Sequence, residues 1–257
     1  MTSDSELMNR RLERAHASLE ALVATTLDLD DAAVREPSTL PGWSVGHVLT
    51  HVARNADGMV NLARWAITGE PHPMYQSAES RAADIDSGAT RPISIIVDDL
   101  LASARRFEVA WVEVAELSGD ALAKALSRPM HLGSPSPHAP RLVGAQAPLA
   151  RRREVEIHHT DLGRPYTVAD WPADFAVELL DTVVPTRSGD DGLATVVRLV
   201  DDRGVAWRLG AGSGSTLQGP AWALAAWLVG RQPGADVLVA VDAHGLACPV
   251  PDAPAWV

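Results

Sequence analysis

The spacing of hydrophobic residues in the first two thirds of the chain predicts four long helices. In the first of them, apolar side chains recur every three or four positions, at Leu12, Ala15, Leu19, Leu22 and Val23. The predicted helices cover about residues 5–29, 45–68, 93–117 and 143–161. Long helices joined by connections of mixed length fit a four-helix bundle.

Start and stop signals frame the second helix and its connections. Ser44 can cap its beginning, and Gly69-Glu70-Pro71 ends it. Residues 73–89 then form a connection with a short helix near 79–85, and a loop rich in Pro, Ser and Gly spans 128–140.

The pattern changes after Gly163. Helical segments now alternate with β-branched runs and turn residues: helices near 172–185 and 221–229, and strands near 195–200, 206–209 and 236–241. This mixture predicts a small α/β domain and favours an antiparallel sheet. The glycine-rich residues 210–214 lack the Lys-Ser/Thr of a phosphate loop, so we interpret them as a hairpin turn.

These patterns place a domain boundary near residue 165. The expected fold class is α+β, with a four-helix bundle at residues 1–165 and a smaller α/β domain at residues 166–257. We find no internal repeat.

Composition and charge exclude several classes of protein. With 46% hydrophobic and 21% charged residues, the 257-residue chain is typical of a soluble globular protein. Its net charge of −11 argues against non-specific nucleic-acid binding, which needs a basic surface. No secretory signal and no window of about 18 apolar residues is present, so we expect a cytoplasmic protein outside the membrane. Cys248, the only cysteine, excludes an intramolecular disulfide and is interpreted as a buried or half-buried small residue.

Two predicted helices of the bundle carry residue types that bind divalent metals. Glu154 and His158 are four residues apart, so their side chains lie on one face of the fourth helix. His51, on the second helix, would complete a three-ligand set inside the bundle. Two histidines and a carboxylate leave one coordination position open on a zinc-like ion, as catalytic sites do.

Spacing alone leaves other assignments open. His47 lies one turn before His51, and either histidine could be the ligand. Glu156 and His159 compete with the Glu154/His158 pair, although Glu156 is expected to face elsewhere. In the simplest alternative, that pair only supports its helix at the surface, by a few tenths of a kcal/mol.

Three consecutive arginines, Arg151, Arg152 and Arg153, lie near the middle of the fourth helix. We interpret them as a solvated face. The alternative is that they bind an anionic ligand.

Four motifs give the chain a resemblance to a known family. They are Leu40-Pro41-Gly42-Trp43 with His47 and residues 51–56, residues 69–75 with Glu79-Ser80-Arg81 and Ile85, residues 153–155 with Ile157-His158 and 161–163, and the terminal residues 250–256. In this order, and over nearly the whole chain, they resemble the mycothiol-dependent maleylpyruvate isomerase family. The first three motifs are the most specific. The resemblance implies an N-terminal DinB-like four-helix bundle and a C-terminal α/β domain.

The resemblance also implies a site and a reaction. His51, Glu154 and His158 fall on the family's zinc ligands, with His51 rather than His47 at the matching position. Arg81 falls on an active-site arginine, whose planar guanidinium would pair with a substrate carboxylate. The implied cofactors are Zn²⁺ and the small-molecule thiol mycothiol, and the implied reaction converts maleylpyruvate to fumarylpyruvate. Asp161 would either accept a hydrogen bond from a ligand histidine or pair with an arginine.

One position departs from the family pattern. The family's second active-site arginine aligns with Ala226, and Arg231, one turn onward, is an alternative match. Without that guanidinium, a dicarboxylate would be held less firmly. A mycothiol S-transferase acting on another electrophile is therefore the second hypothesis, and a non-catalytic metal- or thiol-binding module is the third.

Overall fold

The structure of the protein, a computed structural model, describes residues 3–133, 141–187, 196–210 and 214–252. It divides into two compact units, Met1–Tyr166 and Thr167–Val257. The domain boundary predicted near residue 165 lies next to this division. Within the described residues, every helix is too short or too polar to span a membrane.

The first unit is helical. Its helices are α1 (Asp4–Thr26), α2 (Val45–Thr68), α3 (Ala78–Ala89), α4 (Ile93–Ala115), α5 (Gly119–Ser127) and α6 (Ala147–Asp161). Short 3-10 turns lie at Ala33–Arg35 and Gly144–Gln146, and the strands β1 (Pro129–His131) and β2 (Arg141–Val143) pair antiparallel. Helix α2 packs against both α4 and α6, and α1 packs against the same two helices. The predicted four-helix bundle is therefore confirmed in α1, α2, α4 and α6.

Helix α2 lies at the centre of this bundle because most of its surface is apolar or small. Its buried side chains form two clusters, one with Met59, Leu62, Phe107 and Trp111 and one with Leu49, Val52, Ile96 and Leu100. Gly46 allows the end of α3 to come close, since a Cβ there would lie 2.3 Å from the Ala89 carbonyl oxygen. At the other end, Gly69 takes a positive φ of 85° and closes the helix.

Two helices differ from the sequence prediction. The short helix expected near 79–85 is longer, and α5 was not predicted at all. A helix of nine residues completes only two and a half turns, and in α5 only Ala125 and Leu126 are buried, so its periodic signal is weak. Of the predicted loop 128–140, residues 129–131 form β1 and residues 134–140 lie outside the described residues.

The second unit combines two helices with a five-stranded sheet in its described residues. Its elements are α7 (Ala173–Arg187), β3 (Val196–Val200), β4 (Ala206–Arg208), β5 (Ser215–Gln218), α8 (Ala221–Leu228), β6 (Val239–Val241) and β7 (Ala247–Cys248), with a 3-10 turn at Val168–Asp170. The strand order is β4-β3-β5-β6-β7. Helix α7 packs against α8. The α/β character predicted for this region, and with it the α+β fold class, is confirmed.

The sheet corrects two expectations. It is not purely antiparallel, because β3 and β5 pair parallel. The prediction of a hairpin turn at 210–214 is wrong. A hairpin there would pair β4 with β5, but these two strands lie on opposite sides of β3. Strand β5 was not predicted, because its residues are mostly polar and only the Leu217 side chain is fully buried. Residues 211–213, and the terminal motif from residue 253 onward, lie outside the described residues.

Candidate metal centre

Side chains from α2 and α6 converge inside the helical unit. His51 Nε2 lies 3.1 Å from His158 Nε2 and 3.2 Å from Glu154 Oε2, and His158 Nε2 lies 3.8 Å from the same oxygen. Bonds near 2.0–2.1 Å place the donors of a tetrahedral zinc site about 3.3 Å apart. Among the described residues, these three therefore have the donor types and spacing that one divalent ion requires.

Local structure explains why His51 and not His47 joins this cluster. His47 occupies the third position of α2 and belongs to its capping box, where its Nδ1 accepts from the Ser44 backbone N–H at 3.2 Å. Its Nε2 faces the exposed Asp86 at 3.7 Å. His51 lies one turn further into the bundle and is 4% exposed. Of the two histidines, His51 therefore lies with Glu154 and His158, and His47 does not.

The competing residues of α6 face the other way. Glu156 accepts hydrogen bonds from Ser18 Oγ and Tyr166 Oη, both at 2.5 Å. His159 Nε2 lies 2.7 Å from Thr25 Oγ1, and its ring stacks on Tyr166. Glu156 therefore points away from the cluster, as predicted, whereas Glu154 and His158 are half-buried beside His51.

Burial and mutual charge set the protonation of the cluster. Burial, followed by the charge of His158, lowers the pKa of His51 to about 4. Burial by itself would raise the pKa of Glu154, but the hydrogen bond with His51 and the charge of His158 hold that pKa well below its usual range. At neutral pH, His51 is therefore neutral and Glu154 is a carboxylate, which are the forms that bind a metal.

Asp161 orients the second histidine of the cluster. His158 Nδ1 lies 2.9 Å from Asp161 Oδ2, and Asp161 is 2% exposed. The Thr39 backbone N–H donates to the Asp161 carbonyl at 3.0 Å and fixes the end of α6. A proton on Nδ1 that is donated to the carboxylate leaves the Nε2 lone pair directed at the cluster, as in histidines that bind metals.

Arg81, carried by α3, lies on the other side of His51. Its Nη2 is 3.1 Å from His51 Nδ1, and its guanidinium lies over the Tyr75 ring at 5.5 Å. Because a guanidinium can only donate, His51 Nδ1 is the acceptor in this contact. Trp43 packs edge-on against the His51 ring at 5.5 Å. Arg81 thus lies next to the cluster.

A cavity of about 650 Å³ with both polar and apolar lining residues opens beside Arg81 and Tyr75. Its charged lining residues are Arg54, Asp57, Arg64, Arg81, Asp84 and Arg106. A small polar molecule can therefore approach the Arg81 guanidinium from this cavity.

The interpretation of the arginine run as a solvated face is wrong for two of its members. Arg151 is 2% exposed and Arg152 is 3% exposed. Three consecutive residues span about 200° of a helix, so a helix packed on two sides cannot keep all three in solvent. The i,i+3 spacing from Arg151 to Glu154 was the available signal, because it places both side chains on one face.

Comparison with known proteins identifies the family and the fold of the chain. Residues 12–163 match the family described as the mycothiol maleylpyruvate isomerase N-terminal domain. Among solved structures, the fold is similar to a crystal structure of the mycothiol-dependent maleylpyruvate isomerase and to one of a histidine-to-alanine mutant of it. In each case the TM-score is 0.80 at 27% sequence identity, and the match covers 100% of both chains. No curated protein sequence matches the chain significantly. The family match spans more than half of the chain, and the chain therefore belongs to the mycothiol maleylpyruvate isomerase family.

Proposed function

We propose that the protein is a zinc- and mycothiol-dependent isomerase that converts maleylpyruvate to fumarylpyruvate. The observation that carries the proposal is the spacing of His51, Glu154 and His158, which suits one divalent ion in a chain of this family. Two imidazoles and one carboxylate are the ligand set of many catalytic zinc sites and leave one position open. These residues are the proposed metal centre.

The chemistry of the proposed groups fits the reaction. Zn²⁺ held by His51, Glu154 and His158 would lower the pKa of a coordinated thiol and so supply a mycothiol thiolate near neutral pH. Reversible addition of that thiolate would turn the cis double bond of maleylpyruvate into a single bond, and rotation about this bond followed by elimination would give the trans isomer. The chain has a single cysteine, Cys248, on β7 in the second unit, so the proposal assigns the nucleophilic sulfur to mycothiol.

The residues around the proposed metal centre have distinct roles. Asp161 holds the proton of His158 on Nδ1. His51 Nδ1 accepts from Arg81 in the metal-free protein, and a His51 that bound the ion through Nε2 would instead carry its proton on Nδ1. The Arg81 guanidinium would then face another donor and would be available to pair with a substrate carboxylate and with an enolate.

The test is conversion of maleylpyruvate by the zinc-loaded protein with and without mycothiol, beside a His158→Ala variant. We expect turnover that needs mycothiol and falls at least a hundredfold in the variant, because a metal ligand is lost. His47→Ala is the matched control and should keep most of the activity, since His47 only caps α2. Zinc bound at one per chain without turnover would contradict the isomerase.

One observation favours a second candidate, a mycothiol S-transferase. Ala226 is fully buried in α8, so the position aligned with the family's second arginine offers no cation. Arg231, the alternative match, donates from Nη1 to the Val229 carbonyl at 2.8 Å. A panel of electrophiles, assayed with mycothiol beside maleylpyruvate, separates the candidates: stable S-conjugates without isomerisation would identify the transferase.

A further inference from the structure

A buried arginine joins the two helices that carry the proposed metal ligands. Arg151, on α6, donates from Nη1 to the Val52 carbonyl at 2.8 Å and to Asn55 Oδ1 at 3.0 Å, both on α2. Val52 directly follows His51 in the chain. A carbonyl inside a helix already accepts from its own helix, so this contact adds an interhelical hydrogen bond at the position of the ligand.

On its own helix, Arg151 lies about one turn before the proposed ligand Glu154. It precedes Glu154 by three residues, so the two side chains share a face of α6. Its guanidinium also lies over the Phe107 ring of α4 at 5.8 Å. Burial lowers the pKa of Arg151 to about 10, with the charge of Glu154 opposing that shift, and the group stays protonated at neutral pH. Arg151 therefore presents a fixed cation and fixed donors between the two ligand helices.

Arg152 provides an internal comparison. It is buried to the same degree, but its Nε faces Ser18 Oγ of α1 at 3.4 Å, on the other side of α6. Helix α1 carries none of the proposed ligands. The two neighbouring arginines thus contact different helices on opposite sides of α6. In the described contacts, Arg151 bonds to α2, which carries His51, and Arg152 bonds to α1.

We propose that Arg151 is a positioning residue for the proposed metal centre. By fixing α6 against α2 at Val52 and Asn55, it sets the separation of His51 from Glu154 and His158. Metal binding is sensitive to this separation, because bond lengths in protein sites vary by only about 0.2 Å. Loss of groups that orient ligands typically weakens metal binding about 10- to 100-fold.

The experiment uses the full chain, stripped of metal and titrated with Zn²⁺ against a chromophoric chelator, with Co²⁺ absorption as a second readout. Arg151→Met should weaken Zn²⁺ binding about 10- to 100-fold and shift the visible Co²⁺ bands. Arg151→Lys, which keeps the charge and a donor, should restore part of the affinity. Arg152→Met should lower the Tm of the metal-free protein comparably, yet leave Zn²⁺ affinity within about twofold and the Co²⁺ spectrum unchanged, since the described hydrogen bond of Arg152 is to Ser18 of α1.

Equal losses of Zn²⁺ affinity in Arg151→Met and Arg152→Met would overturn the inference, because they would show a purely structural role. Should Arg151→Met fail to fold, Asn55→Ala removes one acceptor and keeps the arginine. That variant should weaken Zn²⁺ binding about threefold or more, and unchanged affinity would overturn the inference.

The inference rests on the proposed metal centre but not on the reaction. A wild-type chain that binds no Zn²⁺ would overturn both the inference and the proposed function. Zn²⁺ binding that depends on Arg151, in a protein without maleylpyruvate turnover, would support the inference and contradict the proposed isomerase.

Discussion

Asp161 shows how a single carboxylate can prepare a histidine for metal binding. It is buried, and its Oδ2 accepts from His158 Nδ1 at 2.9 Å. Asp161→Asn keeps the shape but removes the negative charge, so we expect Zn²⁺ affinity to fall about tenfold or more. Asp86→Asn, beside the capping residue His47, is the control and should leave Zn²⁺ affinity unchanged. Competition titration with a chelator measures both, and equal affinities in the two variants would contradict the assigned role.

His51 gives the metal-free protein a specific dependence of stability on pH. Its folded pKa of about 4 lies below the ordinary value of 6.5, so between these values the unfolded chain binds the proton and the folded chain does not. The contribution is complete above about pH 6.5 and is lost as the pH falls towards 4, by roughly 3 kcal/mol.

Denaturant unfolding in the presence of a chelator tests this dependence. The free energy of unfolding of the wild type should fall more steeply from pH 7 to pH 4.5 than that of His51→Gln, which cannot titrate at this position. Parallel pH profiles of the two proteins would show that His51 does not carry the effect.

At the scale of elements, close packing of α3 on α2 depends on glycine. A Cβ at Gly46 would lie 2.3 Å from the Ala89 backbone oxygen, which cannot move without moving α3. At Gly58 the nearest atoms are Met74 Cβ and Cε, both at 3.1 Å, and Met74 is flexible. We expect Gly46→Ala to cost about 1–3 kcal/mol and Gly58→Ala less, because the contacts at Gly58 are longer and the helix preference of alanine, which both changes gain, offsets more of the smaller cost. Denaturant unfolding of both variants measures which substitution lowers the free energy of unfolding more. A greater loss for Gly58→Ala would contradict this expectation and would show that α3 shifts easily to admit a methyl group at position 46.

The long helices were predictable from sequence, whereas some of the short elements, such as α5 and β5, were not. Helices of 15 residues or more, such as α2, repeat their apolar pattern often enough to be recognised, whereas α5 and β5 each bury one or two apolar side chains. The spacing of Glu154 and His158 placed both on one face of α6. Spacing could not choose between His47 and His51, because the choice depends on which residue caps α2, and it could not show that Arg151 packs against Val52.

At the scale of the whole molecule, all the residues of the proposed metal centre lie in the first unit. A fragment of residues 1–166 should therefore bind Zn²⁺ with an affinity within about tenfold of the full chain. Tyr166 must be kept, because its hydroxyl donates to the buried Glu156 at 2.5 Å and its ring stacks on His159. A fragment ending at residue 163 should unfold at a lower Tm. Thermal unfolding measures the Tm of both fragments, and titration measures their Zn²⁺ affinity. A fragment 1–166 that binds no Zn²⁺ would contradict the placement of the whole metal centre in the first unit.

The position of the single cysteine has a consequence for oxidative inactivation of the protein. Cys248 lies half-buried on β7, in the unit that holds none of the proposed ligands. In an enzyme with its own nucleophilic cysteine, oxidation of the sulfur beyond sulfenic acid is in general irreversible and inactivates the whole polypeptide. If the reactive sulfur belongs to mycothiol, the same damage consumes one small molecule, which can be exchanged. The sulfur that is sensitive to oxidation would then belong to an exchangeable molecule, and one folded chain would remain active after many oxidised mycothiol molecules had been replaced.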